Sequence, residues 1–482
     1  MHPRRVLRLI GVLVFFLGLS MGLALLVSAI YEEPSVWELL WSMGVTCGAG
    51  LGIFLGTKGE EITHLNHRDG VAIVALGWFA AGAFGALPFL FSGSIPGFTN
   101  ACFESVSGFT TTGASVLSDI EQLSRGLLMW RSTIQWLGGM GIIVLSIAIL
   151  PFLGVGGMEL YKAEIPSPVV DKLRPRISET AKLLWKVYIL ITALEILFLL
   201  AGGMPLFDSV CHAFCTMPTG GFSPRNASLA HYDSPYVDGV IIVFMLLAAI
   251  NFSLHYRALK GEVGIFGKDP ECRVFLGLVG ALILLVTMDL YGSIYSTLAS
   301  AFRYAAFQVS SVITTTGFVT ADYDTWPSLS RVVLLLCMFL GGMAGSTAGG
   351  IKTLRLMMMA KHTYQEIFKI IHPHAVRAVK LGGKPVAGDI LSGIWGFFFL
   401  YLALYGVAAL ILAGLGLDLI SALSAVAACI FNVGPGLGSV GPAQNFLAVP
   451  LLGKWVLIVC MILGRLEIYT VIVVLMPEYW RK

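Results

Sequence analysis

Four short strings in this chain carry residues able to coordinate a dehydrated cation: FTTTGAS at 109–115, TMPTGGFSP at 216–224, ITTTGFVTADY at 313–323 and FNVGPGLG at 431–438. Their chemistry is that of oxygen ligands. Threonine offers a hydroxyl and a carbonyl, and glycine takes positive φ without steric cost, so that successive carbonyls can turn to one side. Rings of such carbonyls replace the hydration shell of a potassium-sized ion. One Thr-Gly alone is an ordinary turn, but Gly113, Gly220, Gly317 and Gly434 recur at separations of 107, 97 and 117 residues. The residues expected on the ion are Thr111, Thr112, Gly113, Thr219, Gly220, Thr316, Gly317, Val433 and Gly434, flanked by Thr110, Pro218, Thr315 and Asn432. The fourth string departs from Thr-Gly, with Val433 before its glycine and Pro435 after it.

Such segments need a scaffold that holds irregular backbone at depth, and the composition supplies one. Of 482 residues, 57% are hydrophobic and 12% charged, against roughly 25% charged in a typical globular protein. Ten apolar stretches, at 6–29, 36–56, 70–91, 126–153, 183–203, 237–256, 273–295, 329–344, 390–416 and 451–476, are read as membrane helices. The ten-residue alternation of barrel strands is missing. Amphipathic stretches too short to cross precede each string: Asn100–Phe109, Cys211–Cys215, Tyr304–Val312 and Ser421–Ile430. The period near 107 is too long for a solenoid. The expected fold is therefore an all-α polytopic membrane protein with two leading helices (1–60) and four parallel span, pore-helix, span modules around one pseudo-fourfold pore. The modules are 61–160, 161–260, 261–384 and 385–482, the third including a basic cytoplasmic segment. A re-entrant helix pointing its carbonyl end at the axis favours a cation there.

With the N-terminus placed in the cytoplasm, 24 of the 31 Lys and Arg fall on inside segments, as the positive-inside rule requires. The other seven are Arg125, Arg131, Arg225, Arg303, Arg331, Lys454 and Arg465. Both termini are then cytoplasmic, and the first run reads as a retained helix without a cleavage pattern. Net charge of +3, spread between spans, carries no nucleic-acid signal.

Inside the eighth span and just beyond, Gly341, Gly342, Gly345, Gly349 and Gly350 crowd a stretch where a helix should be intact, at up to about 1 kcal/mol each relative to alanine. A break there competes with a small-residue packing seam. Arg465 lies near the middle of the last span; such a residue faces water or a buried acid, and Glu467, two positions on, lies on a different helix face. Cys211, His212 and Cys215 read as helix packing, since zinc would want a fourth ligand nearby. Gly436, Gly438 and Gly441 spell GxGxxG without a preceding strand. His362, His372 and His374 are expected to be solvent-exposed.

At the four strings the chain resembles the Trk/Ktr/HKT superfamily of potassium transporters, and the resemblance runs over nearly its whole length. It implies potassium as the transported substrate, with no organic cofactor, because Gly113 stands where serine accompanies sodium passage in some plant members. It implies that Gly345, Ser346, Thr347, Ala348, Gly349 and Gly350 form an intramembrane gate under the filter, and that Arg465 projects into the pore below it. It further implies a homodimer in the bacterial inner membrane, surrounded by lipid, with a cytoplasmic TrkA-type nucleotide-binding ring as partner. The rival is an ion-coupled secondary transporter, for which the spans offer few ionisable residues: Glu195, Asp289, Arg465 and Glu467. An enzyme is excluded by the want of any His/Glu or Ser/His/Asp constellation in the spans. Channel-like and coupled flux stay open at this point.

Overall fold

The computed structural model describes residues 3–57, 67–148, 177–375, 378–382 and 384–480. The end of the fourth expected span, 149–153, and most of the basic stretches at 58–68 and 162–186 lie outside the described residues. Among those described, the strands are one two-residue pair, Lys380–Leu381 with Lys384–Pro385; the rest of the regular structure is helix. Six helices are long and apolar enough to cross a membrane, and two sharply bent pairs raise that to eight. Arg125–Ala148 occupies the fourth expected span, and the shorter Ser328–Phe339 the eighth.

A short helix precedes each of the four strings. Phe98–Phe109, Leu206–Thr216, Leu298–Ile313 and Leu419–Ile430 have 12, 11, 16 and 12 residues. At about 1.5 Å per residue they reach roughly 17–24 Å, short of the ~30 Å hydrocarbon core. Their starts are capped from the side chain in two cases, Thr297 accepting from the Ser300 amide and Asp418 from the Ser421 amide. Their ends are enclosed. Every residue from Ala101 to Phe109, from Ala305 to Ile313 and from Ser424 to Ile430 is buried, so the carbonyl ends are walled by protein on all sides, as a helix ending at depth requires.

The spans that follow the second, third and fourth of these short helices are all broken. Ser328–Phe339 stops at Leu340 and helix resumes only at Thr353, with the glycine-rich loop between. The stretches 237–256 and 451–476, read from the sequence as continuous, are bent by 104° and 117°. At the first bend Ile250 is extended and the Asn251 side chain accepts the Ser253 amide at 2.8 Å, restarting the helix. At the second, Glu467 and Ile468 take positive φ, 56° and 46°. That is an unfavourable conformation for a β-branched residue, and Glu467 is held there by an ion pair with Arg355.

The short helices seat against the returning spans through glycines that admit no side chain. A Cβ on Gly138 would lie 2.0 Å from the Phe109 carbonyl oxygen, and one on Gly464 would lie 1.9 Å from that of Ile430. Phe109 and Ile430 occupy the same place, the last residue of their short helices. Gly138→Ala and Gly464→Ala should therefore each cost about 1–3 kcal/mol by overpacking and lower the melting temperature in detergent. Gly280→Ala, at a helix position with open space around it, should leave the melting temperature unchanged or raise it.

Candidate ion pathway

Each short helix ends in the same way. The amides of Thr112, Gly220, Thr316 and Val433 donate to the carbonyl five residues back, on Ser107, Cys215, Ser311 and Ala428, each at 2.8 Å. The preceding residues Thr111, Thr219, Thr315 and Asn432 sit at φ 51°, 58°, 58° and 56°. These are Schellman ends, whose left-handed residue is usually glycine or asparagine. Three threonines in that conformation cost of order 1–3 kcal/mol each and persist only where the surroundings over-determine them.

Two residues further on stands the glycine. Gly113, Gly221, Gly317 and Gly434 have φ of 84°, 76°, 81° and 104°. A Cβ on Gly113 would fall 2.3 Å from the Gly220 carbonyl oxygen; on Gly221, 2.0 Å from that of Thr316; on Gly317, 2.0 Å from that of Val433; and on Gly434, 2.7 Å from that of Thr112. The four segments thus close a ring in chain order, each glycine against the next segment's carbonyl. In the second segment the ring glycine is Gly221, one residue after the Gly220 that the Thr-Gly spacing singles out. Gly220 instead matches Thr112, Thr316 and Val433. The fourth segment, whose letters depart most, keeps the same backbone: Asn432 stands for the left-handed threonine and Val433 for the residue before the glycine.

All four ring glycines line one cavity of about 230 Å³, together with Ser115, Arg131, Ser223 and Pro435. Beside it Arg131 and Glu104 form a buried ion pair at 2.8 Å. Glu104 also accepts the Val116 amide at 2.9 Å, and Arg131 Nη1 donates to the Ser223 carbonyl at 3.2 Å. The pair therefore ties the first short helix to the irregular chain leaving the first and second segments. Sequence reasoning missed this role for Arg131, counting it only as a charge outside the cytoplasm. The available signal was Glu104, the one charged residue of the short helix Phe98–Phe109.

On the opposite side the glycine-rich loop lies against the left-handed residues. Thr219 Oγ1 donates to the Thr347 carbonyl at 3.1 Å, the Gly349 amide donates to Thr315 Oγ1 at 2.6 Å, and the Gly350 amide to the Phe431 carbonyl at 3.0 Å. Three of four segments are touched. The Thr111 hydroxyl of the remaining one is buried without a hydrogen-bond partner. The loop is anchored to the first bend, where Phe252 donates to Gly345 at 3.1 Å and Met343 to Ala249 at 2.9 Å, and to Glu271, which accepts from Ala344 at 2.8 Å. Gly345 and Gly350 supply positive φ of 76° and 66°. Ser346 Oγ donates to the Met343 carbonyl at 2.6 Å, and the Ala348 carbonyl accepts from Lys352.

Arg465 Nη1 donates to the Thr347 carbonyl at 2.7 Å, while its Nε and Nη2 are buried without partners. Glu467 is engaged by Arg355. In the Cys211, His212, Cys215 cluster, His212 bonds through both ring nitrogens, Nδ1 to the Asp208 carbonyl at 2.7 Å and Nε2 to Ser223 Oγ at 3.1 Å. His372 and His374 are exposed, but His362 is half-buried and accepts from Trp395 Nε1 at 3.0 Å.

Residues 49–482 match the family described as TrkH, a cation transport protein. The chain is 42% identical to the Trk system potassium uptake protein TrkH of Salmonella typhimurium, with both sequences covered completely. It is 37% identical to the Trk system potassium uptake protein TrkG of Escherichia coli, over 100% of this chain and 99% of that one. The crystal structure of the potassium transporter TrkH from Vibrio parahaemolyticus matches at a TM-score of 0.92 and 38% identity, over the whole of both chains. This multi-pass membrane chain belongs to the TrkH family of cation transport proteins.

Proposed function

We propose that the chain is the potassium-translocating subunit of a Trk-type uptake system in the bacterial inner membrane, both termini cytoplasmic, and that flux through it is channel-like. The observation that carries this reading is the ring closed in chain order by four positive-φ glycines and the carbonyls of their neighbours. In this reading the ring is the selectivity filter and the chain divides into two leading helices, 1–60, and modules 61–160, 161–260, 261–384 and 385–482. No donor among the described residues is bonded to the carbonyls of Thr112, Thr316 or Val433, which leaves them to an ion. The relatives named as potassium uptake proteins support potassium as the substrate. The loop from Gly345 to Gly350 acts as the gate, and Arg465 stands in the path below the filter. A homodimer with a TrkA-type nucleotide-binding ring on the cytoplasmic face completes the assembly. Currents from purified protein in bilayers under opposed potassium and proton gradients test the channel reading: a reversal potential that follows potassium alone supports it, and one that moves with the proton gradient overturns it.

Gly317→Ser should abolish potassium-over-sodium preference, because its Cβ would lie 2.0 Å from the Val433 carbonyl oxygen. Potassium and sodium uptake by the purified variant measure this, and an unchanged ratio removes the ring from the filter role.

Removing Gly345–Gly350 should raise flux and weaken regulation by the partner, since the hydrogen bonds that hold the loop under three segments are lost with it. Flux that falls or stays level in a folded deletion variant would favour a packing seam instead.

Arg465→Ala should raise potassium flux while leaving selectivity nearly untouched. Two unit charges at about 4 Å repel by about 4 kcal/mol at an effective dielectric near 20, and water in the cavity screens part of that. Arg465 has no acid partner among the described residues, its one bond going to the Thr347 carbonyl, so the stability lost should be about 1.5–3 kcal/mol. Flux and melting temperature measured on one preparation decide the matter: a stable variant with unchanged flux refutes the placement.

A further inference from the structure

The ring has one backbone and three different ways of holding it, and the second segment is unlike the rest. In the first segment the Thr112 hydroxyl bonds to the Thr110 hydroxyl at 2.7 Å, and in the third Thr316 bonds to Thr314 at 2.8 Å. Each segment is thereby tied back to the end of its own short helix. In the fourth, Asn432 Nδ2 donates to Thr112 Oγ1 at 2.9 Å and to the Met461 carbonyl at 3.0 Å, while Phe431 stacks on Tyr401 at 4.8 Å. The second segment has Pro218 and Gly220 at the places of Thr110 and Thr112, and neither carries a hydroxyl.

Gln135, from the helix Arg125–Ala148, fills that room. It is fully buried. Its Nε2 donates to the Gly220 carbonyl at 2.6 Å and its Oε1 accepts from the Phe222 amide at 3.1 Å. The amide side chain thus pins the peptide groups on both sides of Gly221 and holds that residue in its positive-φ conformation. A Cβ on Gly220 would meet Gln135 Cδ and Oε1 at 2.5 Å, so glycine at 220 and glutamine at 135 are fitted to each other. The consequence reaches the ion site. The Gly220 carbonyl is shared with a side-chain donor, whereas its counterparts on Thr112, Thr316 and Val433 have none among the described residues. An oxygen held by a short hydrogen bond in a buried network is a more rigidly placed cation ligand.

We infer that Gln135 is a specificity-determining residue: it replaces the side chain that Gly220 lacks, fixes the second quarter of the ring and makes one of four carbonyl ligands inequivalent. The inference rests on the ring's being the filter.

The test compares potassium and sodium uptake, with KM and maximal rate separated, for purified Gln135→Leu, Gln135→Met, Gly220→Thr and the double variant Gln135→Ala/Gly220→Thr. Loss of the clamp in Gln135→Leu or Gln135→Met should lower potassium-over-sodium selectivity and raise the potassium KM by roughly three- to tenfold, the worth of one ordinary hydrogen bond, at a maximal rate that changes less. Gly220→Thr alone should lose transport, since its side chain overlaps Gln135. The double variant rebuilds the arrangement of the first and third segments and should recover much of the lost selectivity, the non-additivity expected of residues in contact. If a folded Gln135→Leu or Gln135→Met keeps both ratio and KM, or the double variant is no better than Gly220→Thr, the inference fails. Gly317→Ser, measured alongside, separates the two readings. Selectivity kept in Gln135 variants but lost in Gly317→Ser refutes only the role of Gln135; selectivity kept in both refutes the filter.

Discussion

Non-helical backbone at bilayer depth survives only where protein or a water-filled cavity satisfies it, and the rest of this molecule follows from meeting that demand four times over. The short helices are buried all round at their carbonyl ends because those ends stop inside the membrane. Their Schellman closures absorb the first free amides, at 2.8 Å in every case. What remains at the ring is mostly carbonyl, and among the described residues three of its four carbonyls, those of Thr112, Thr316 and Val433, have no matching donor. That surplus of acceptors is unfavourable for an empty apolar core and suited to a cation that has shed water. The strain of three left-handed threonines is stored there too, held by packing that leaves them no alternative.

The same demand shapes the side facing the glycine-rich loop. A loop of five glycines within ten residues cannot satisfy its own peptide groups through helix, so it borrows partners from its surroundings. Ala248, Ala249 and Phe252 contribute from the bend at Asn251, Glu271 from the preceding span, and the ring residues Thr219, Thr315 and Phe431 from above. These polar bonds act together with apolar packing, since Met343 and Ala348 of the loop are buried in the hydrophobic core. The breaks in the neighbouring spans belong to the same layer. Without the turn at Glu467, Arg355 would lose its buried partner.

Much of this architecture was legible in the sequence, and the misses have particular causes. Hydropathy located the six membrane-length helices and the two bent pairs, because a stretch of apolar residues long enough to cross a membrane has few other uses. It could not see the breaks at Ile250 and Glu467, since an asparagine cap or a lone acid barely lowers the mean over twenty residues. The glycine crowding at 341–350 did reveal its break, through backbone entropy rather than polarity. At the ring, matching Thr-Gly letters put Gly220 where the structure has Gly221. Counting back from the end of the short helix removes the error, because the five-residue hydrogen bond to Cys215 fixes the register. The same count brings Asn432 and Val433 into line, although their letters match none of the other segments. Arg131 was invisible as a structural residue because its partner Glu104 lies 27 positions away on another element.

Fourfold backbone and onefold side chains coexist because the ring is built from a single chain. A ring of four identical subunits would have to repeat every brace and every occluding loop around the axis. Four loops of the length of Gly341–Gly350 could not all lie under one narrow ring. Among the described residues only the broken span after the third short helix supplies such a loop, and it bonds to the left-handed Thr219 and Thr315 and to Phe431 beside Asn432, while the Thr111 hydroxyl is left without a partner. The backbone is kept alike by the shared close of the short helices, a five-residue hydrogen bond followed by a positive-φ glycine in all four segments. The side chains behind it are under no such common demand, so the paired threonines of the first and third segments, Gln135 behind the second and Asn432 in the fourth solve the local problem in three ways. Asymmetry of this kind lets a single element cover the pathway from one side without four copies colliding at its centre.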